Sequence, residues 1–297
     1  MPHDYARWKL PLIAQYGGLS HFLNTQSFQS GIHATELVSG HTLDILIQRR
    51  NSPYGLVVFN AAVNRTQIPN PPVLYGQGIA AGANATLISV SDLALTFGDH
   101  IEMGWHAGSY DIRLQKILPL ILDHLRVVLK IERLILFGSS AGGFASLFYG
   151  HQMNNVLPIA ANPQTRIAAF TPMRAVHDYA AACFGWNGLD DVGEYLSRFI
   201  CTDVAPLYAS MPKPFLYFQN RSDRHIAAQT FSFMRSLQTL PQIQSGPVGS
   251  GHMEFVDWGP GHAPPSKDVL VGILKDAYAW AGTWDGDSAA KSVALTA

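Results

Sequence analysis

The sequence predicts an α/β domain built on a mostly parallel sheet with helices on both faces, and three observations carry that prediction. Apolar runs of strand length alternate with helical periodicity along the chain, and each run stops at a cluster of Gly, Asn, Ser or Asp. The 297 residues suffice for one large domain and do not require two. Apolar residues make up 47% and charged ones only 14%, as a large core demands. Twenty Lys and Arg against 21 Asp and Glu leave no basic surface for nucleic acid. No apolar run approaches the length of a membrane span, and the opening Met1 to Lys9 lacks the charged-then-apolar layout of a secretory signal. Two cysteines, Cys183 and Cys201, exclude a disulfide framework, and a cytoplasmic protein with reduced thiols is the expectation.

In chain order, residues 1–34 are mixed, polar and aromatic, and read as an irregular lead-in or short helix. Thr35–Val38 and Thr42–Gln48, separated by Ser39 and Gly40, predict an antiparallel hairpin. Leu56–Phe59 is a short buried strand, followed by a loop rich in proline, and Ala85–Val90 is the next strand. Asp111 can cap a helix carrying Ile112, Ile117, Ile121, Leu122, Leu125 and Leu129, with Pro119 a place for a kink. Strands Leu134–Phe137 and Val156–Ala160 come next. The stretch from Asn162 to Pro206 holds helical pieces, Arg174–Phe184 and Val192–Phe199, but no strand. Strand Phe215–Gln219, helix Ala227–Leu240, strand Met253–Trp258 and helix Ser266–Trp280 complete a domain over 35–282 with an insert at 162–206. The tail 283–297 is small, polar and expected to fray.

The chemistry is concentrated at residues 134–150. The apolar run ends in Gly138-Ser139-Ser140-Ala141-Gly142, and apolar residues resume at helical spacing through Phe144, Leu147 and Phe148. A G-x-S-x-G between strand and helix is a sharp turn that forces its serine into a strained conformation with the hydroxyl exposed. Gly138 and Gly142 stand where side chains would collide. The helix begins directly behind the serine, so the Ala141 N–H faces any oxyanion forming there. An ordinary glycine-rich βα loop is the competing reading. A phosphate loop is disfavoured, because no G-x-x-x-x-G-K-[ST] occurs.

An activated serine needs a base, and the base needs an orienting group. Asp223 lies a few residues past strand Phe215–Gln219, where the orienting carboxylate belongs, with a helix N-cap or a turn aspartate the competing reading. Two histidines compete for the base. His252 precedes strand Met253–Trp258 and His262 follows it, in a Gly- and Pro-braced loop at the functional end, so His262 is favoured. His225 is too near Asp223 in sequence to be its obvious partner. The second oxyanion donor should come from the loop after Leu56–Phe59, with Ala61 the choice, unless it is merely a small residue packed at a strand end. Trp105 and His106, and Gln164 after Val156–Ala160, face the same end as candidate substrate-binding residues; packed loops are the plainer alternative for the aromatic pair. With no H-E-x-x-H or C-x-x-C, no metal is expected.

Ser140, Asp223 and His262, in that order on alternating strands and helices, resemble the α/β-hydrolase fold superfamily over roughly Thr35 to Trp280. The resemblance implies a serine acyl-enzyme mechanism, no metal or organic cofactor, and an insert after the sixth strand that often acts as a lid, the place that Asn162–Pro206 occupies. The long lead-in and the absence of an HGGG-type oxyanion loop depart from the common patterns, so acyl specificity does not carry over. The expected partner is a small-molecule or glycan-linked acyl substrate, and a homo-oligomer remains compatible with the sequence. Ester hydrolysis leads. Acyl transfer and peptide hydrolysis on the same triad, or a catalytically silent binding protein on this scaffold, are the alternatives.

Overall fold

A computed structural model describes residues 3–38, 40–239 and 244–279. The tail read over 283–297 and the ends of two expected helices, Leu240 and Trp280, lie outside the described residues. In chain order the elements are β1 (Leu12–Tyr16), α1 (Leu19–Leu23), β2 (Gly31–Val38), β3 (His41–Gln48), β4 (Tyr54–Phe59), α2 (Gln77–Gly82) and β5 (Thr86–Val90). There follow α3 (Leu114–Val128), β6 (Arg133–Ser139), α4 (Ala141–Gln152), β7 (Val156–Ala161), α5 (Arg174–Phe184), α6 (Val192–Ser197) and α7 (Ala205–Ser210). The chain closes with β8 (Leu216–Asn220), α8 (Phe231–Ser236), β9 (Gly246–Val248), β10 (Gly251–Val256) and α9 (Lys267–Ala279).

All ten described strands join one sheet in the order β1-β2-β3-β5-β4-β6-β7-β8-β10-β9. The pairings β5–β4, β4–β6, β6–β7, β7–β8 and β8–β10 are parallel, while β2–β3, β3–β5 and β10–β9 are antiparallel. The sheet is thus mostly parallel, with the antiparallel pairings flanking a parallel centre and β1–β2 parallel again at one edge. Its central strands are buried on both faces because their alternate residues feed two separate cores. Val57, Phe59, Ile88, Val90, Leu134 and Leu136 pack in the larger cluster with Leu118, Ile121, Leu122 and Leu125 of α3 and Phe144 and Leu147 of α4. Leu56, Val58, Leu87, Ile135 and Phe137 point the other way, into a cluster closed by Ala80 of α2 and Leu270, Ile273, Leu274 and Ala277 of α9.

Several elements differ from expectation. The stretch read as an irregular lead-in contains β1, which pairs in parallel with β2, and β2 itself starts at Gly31. Asp111 is exposed and caps nothing: α3 begins at Leu114, with no side-chain cap. Helix Ala227–Leu240 is replaced by a wide π-type turn over Ile226–Thr230 and a short α8. His252 lies inside β10, opposite Leu216, and not ahead of the strand. The insert at 162–206 follows β7, the seventh strand once β1 is counted.

The interior holds several histidines. His33 sits between the Tyr16 hydroxyl and the Gln29 carbonyl, each 2.9 Å away, and burial lowers its pKa. Burial also lowers the pKa of His106, His151 and His225. A histidine whose folded pKa lies below its unfolded value of about 6.5 binds protons more readily in the unfolded chain. Its contribution is therefore complete above that value and is lost as pH falls towards the folded pKa. The melting midpoint is expected to drop between about pH 8 and about pH 5.5. A midpoint that holds or rises on acidification would contradict this.

Candidate active site

The elbow forms as the strand–turn–helix pattern requires. Ser140 lies between β6 and α4 at φ 55° and ψ −119°, a region that costs a non-glycine residue on the order of 1–3 kcal/mol. The surrounding structure enforces it: the Ser140 N–H donates to the Ala161 carbonyl at 3.0 Å, and its carbonyl accepts from Gln164 N–H at 3.0 Å. Both glycines are sterically obligatory. A Cβ on Gly138 would stand 2.0 Å from the Gly142 carbonyl oxygen, and one on Gly142 would stand 2.4 Å from that of Phe59. The second contact presses the start of α4 against the end of β4 and so brings the Asn60–Ala61 loop beside the elbow. The N–H groups of Ala141 and Ala61 have no hydrogen-bond partner among the described residues, which leaves both free to donate.

Asp223 and His262 meet. His262 Nδ1 is 2.7 Å from Asp223 Oδ2, with the carboxylate buried and the imidazole about one-third exposed, its side chain at 32%. Asp223 Oδ1 accepts from the His225 N–H at 2.9 Å, and Oδ2 also accepts from Gln219 Nε2 at 3.2 Å. Burial alone would raise the Asp223 pKa, but the bonds from His262, His225 and Gln219 and the nearby imidazole outweigh it and hold the carboxyl below its ordinary value. His252 pairs with Leu216 at the start of β10 and approaches Glu254 at 3.7 Å, at the opposite end of the strand from His262. No hydrogen bond joins Ser140 to His262 in this structure. Such contacts commonly close only when substrate is bound.

Two asparagines with no role assigned from sequence hold the histidine loop. Asn220, fully buried at the end of β8, donates through Nδ2 to the carbonyls of Gly259 at 2.7 Å and Gly261 at 2.6 Å, and its Oδ1 accepts from Trp258 N–H at 3.0 Å. Asn162 donates to Ala263 O at 2.8 Å and accepts from Asn220 N–H at 2.6 Å. The only signal for them was position, an amide side chain at each of two adjacent strand ends. Asn220→Ala is expected to lower kcat by about 10- to 100-fold with little change in KM, because a misplacement near 1 Å carries that cost. An unchanged kcat would show that the loop holds its place without this residue.

The three candidate substrate-binding residues are interior. Trp105 and His106, both at positive φ, and Gln164 are each no more than 1% exposed, so in this conformation they support the site and do not line a surface pocket. Asp92 anchors their loop by accepting from Gly104 N–H at 2.6 Å and His106 N–H at 3.3 Å. The His106 Nε2 lies 3.1 Å from the Asn60 carbonyl, next to Ala61. The Trp105 indole N–H donates to Gln164 Oε1, and Gln164 Nε2 donates to Ser140 Oγ at 3.0 Å.

The insert lies on the same side as these loops. Tyr179 of α5 donates to the Gly108 carbonyl at 2.9 Å. Phe170 reaches both Trp105, with ring centroids 6.2 Å apart, and His225, at 5.5 Å. His225 in turn meets the His262 ring edge-on at 5.4 Å. Phe184 and Tyr195 pack against Phe199 within the insert. Phe170 and Tyr179 are insert aromatics that pack on Trp105, beside Ser140 and Gln164.

Asp223, His225 and His262 offer three potential metal-ligand atoms within 4.8 Å of one another. Two of these residues are already joined by the Asp223–His262 hydrogen bond, which a cation drawing on the same lone pairs would break. No helix among the described residues is long and apolar enough to cross a membrane.

No family model matches the chain, and no curated protein matches it in sequence. Solved structures do match in fold. A chain of the Glycosylation Associate Protein (Gap123) complex from Streptococcus agalactiae aligns at TM-score 0.55 and 13% identity, over 80% of this chain but only 44% of its own length. The S-formylglutathione hydrolase of Agrobacterium tumefaciens aligns at 0.51 and 10% identity, covering 84% of this chain and 93% of its own. The capsule O-acetyltransferase of Neisseria meningitidis serogroup A aligns at 0.53 and 14% identity, covering 86% and 96%.

Proposed function

We propose that this chain, which has the α/β-hydrolase fold, is a serine hydrolase that cleaves a carboxylic ester through Ser140, His262 and Asp223. The observation that carries the reading is the strained serine at the end of β6, at the same end of the parallel strands as a hydrogen-bonded Asp–His pair. In acylation the Ser140 hydroxyl proton passes to His262 Nε2 as the Oγ–C bond forms and the carbonyl electron pair moves onto oxygen. The Ala141 and Ala61 N–H groups receive that oxyanion. Collapse expels the alcohol, which takes the proton from His262. Water then repeats the sequence on the acyl-enzyme and releases the acid. Asp223 holds the imidazole in the tautomer that leaves Nε2 free to accept.

The insert at 162–206 acts in this reading as a helical cap that selects acyl groups, with Phe170 and Tyr179 among its contacts to the site. The substrate is a small-molecule or glycan-linked acyl ester, and the free thiols Cys183 and Cys201 favour a cytoplasmic setting. Both hydrolysis and acetyl transfer occur on this fold, as the names of the Agrobacterium and Neisseria proteins state. An acyltransferase is therefore the second reading. A panel of activated esters of increasing acyl length, with and without glycan hydroxyl acceptors, tests both. Acid release independent of acceptor supports the hydrolase. Acyl-acceptor product formed faster than acid supports the transferase, and no turnover of any ester would contradict both.

A further inference from the structure

We infer that Gln164 is a catalytic hydrogen-bond donor to the Ser140 oxygen, held in that role by the Trp105 indole. The inference rests on the serine-hydrolase reading and replaces the expectation that Gln164 binds substrate. An indole N–H can only donate, so the carboxamide oxygen of Gln164 must face Trp105. The amide NH2 is then fixed towards Ser140 Oγ, 3.0 Å away. The side-chain bond is not needed to hold the serine backbone, because the Gln164 main-chain N–H already binds the Ser140 carbonyl at 3.0 Å. Among the described residues, Ser140 Oγ has no other hydrogen-bond partner.

The chemical consequence is specific. With one lone pair of Oγ engaged by Gln164, the hydroxyl hydrogen must point elsewhere, where an imidazole can accept it. As that proton leaves for His262, negative charge grows on Oγ and the bond from Gln164 becomes charge-assisted, stronger than in the ground state. In deacylation the direction reverses: the C–Oγ bond breaks with its electron pair going to Oγ, Gln164 steadies the departing oxygen, and His262 returns the proton. Burial of Gln164 at 1% exposure keeps water from competing for the same lone pair. Trp105 takes part only through Gln164 and is a positioning residue. It is wedged against Tyr179 and Phe170, with ring centroids 5.5 and 6.2 Å away, which keeps the indole N–H aimed.

The test compares Gln164→Met, which keeps length but lacks the donor, Gln164→Glu, which keeps size but when ionised can only accept, Trp105→Phe, and the Trp105→Phe/Gln164→Met double variant. Each is assayed for the second-order rate of fluorophosphonate labelling and for kcat and KM on an ester that the wild type turns over. Gln164→Met should lose about 10- to 100-fold in labelling rate and kcat with KM nearly constant. Gln164→Glu should lose at least as much, and it carries the test if thermal melting shows the Met variant to be unfolded. Trp105→Phe should lose less, and the double variant should be no worse than Gln164→Met, since the indole acts through the amide. Labelling of the folded Gln164 variants at the wild-type rate, or a loss confined to KM, would overturn the role of Gln164. Full additivity in the double variant would overturn that of Trp105. A folded wild type that reacts with neither probe nor ester would instead bring down the serine-hydrolase reading itself, and this inference with it.

Discussion

Ser140→Ala is expected to abolish turnover, by up to roughly six orders of magnitude if this triad works as a unit in the way that measured serine hydrolases do. The fold should survive. The Ser140 backbone bonds to Ala161 and Gln164 are untouched, and the lost hydroxyl accepts a single bond, from Gln164. An alanine at φ 55° carries the same backbone strain as the serine, so the melting midpoint should move little. Purified variant and wild type assayed side by side on one activated ester, with melting curves for each, give the answer. Residual activity near the wild-type level would remove Ser140 from the mechanism.

The second large effect separates the histidines. His262→Ala should cost about as much as Ser140→Ala, and Asp223→Asn should lower kcat by up to about 10⁴, because an amide at this position favours the wrong imidazole tautomer. His262 is about one-third exposed on a loop held by Asn220 and Asn162, so its removal should not unfold the domain. His252→Ala should leave kcat within a few-fold of the wild type, because that residue sits at the far end of β10 beside Glu254. A large loss in His252→Ala together with an active His262→Ala would reverse the assignment.

The elbow and the Asp–His pair were legible because their signals are local. Apolar strand, glycine-flanked serine and helical periodicity occur within residues 134–150, and Asp223 and His262 each follow a strand by a few residues. What escaped the sequence is long-range or weakly patterned. β1 is a short edge strand, Leu-Ile-Ala-Gln-Tyr, in which only Tyr16 is buried, so it lacks the alternation that marks a half-buried strand. In the π-type turn at Ile226–Thr230 the buried Gln229 binds the Thr165 and Arg166 N–H groups at 2.8 and 2.9 Å, a contact some sixty residues away in the chain. Trp105, His106 and Gln164 were read as facing the functional end of the sheet, with packed loops the alternative for the aromatic pair, and all three are buried. Sequence position tells which loop faces the site, whereas the depth of a side chain in that loop depends on neighbours such as Asp92 and Tyr179. No motif pointed to this role for Asn220 and Asn162, and it is visible only once the loop that they hold is seen.

The most direct measurement is to react the intact wild-type protein with a fluorophosphonate, digest it, and locate the adduct by mass spectrometry. The expected result is one adduct per chain, on the peptide containing Gly138 to Gly142 and on Ser140 within it, with none in Ser140→Ala. An unmodified protein, or an adduct on another residue with Ser140 unlabelled, would contradict the claim that Ser140 is the nucleophile.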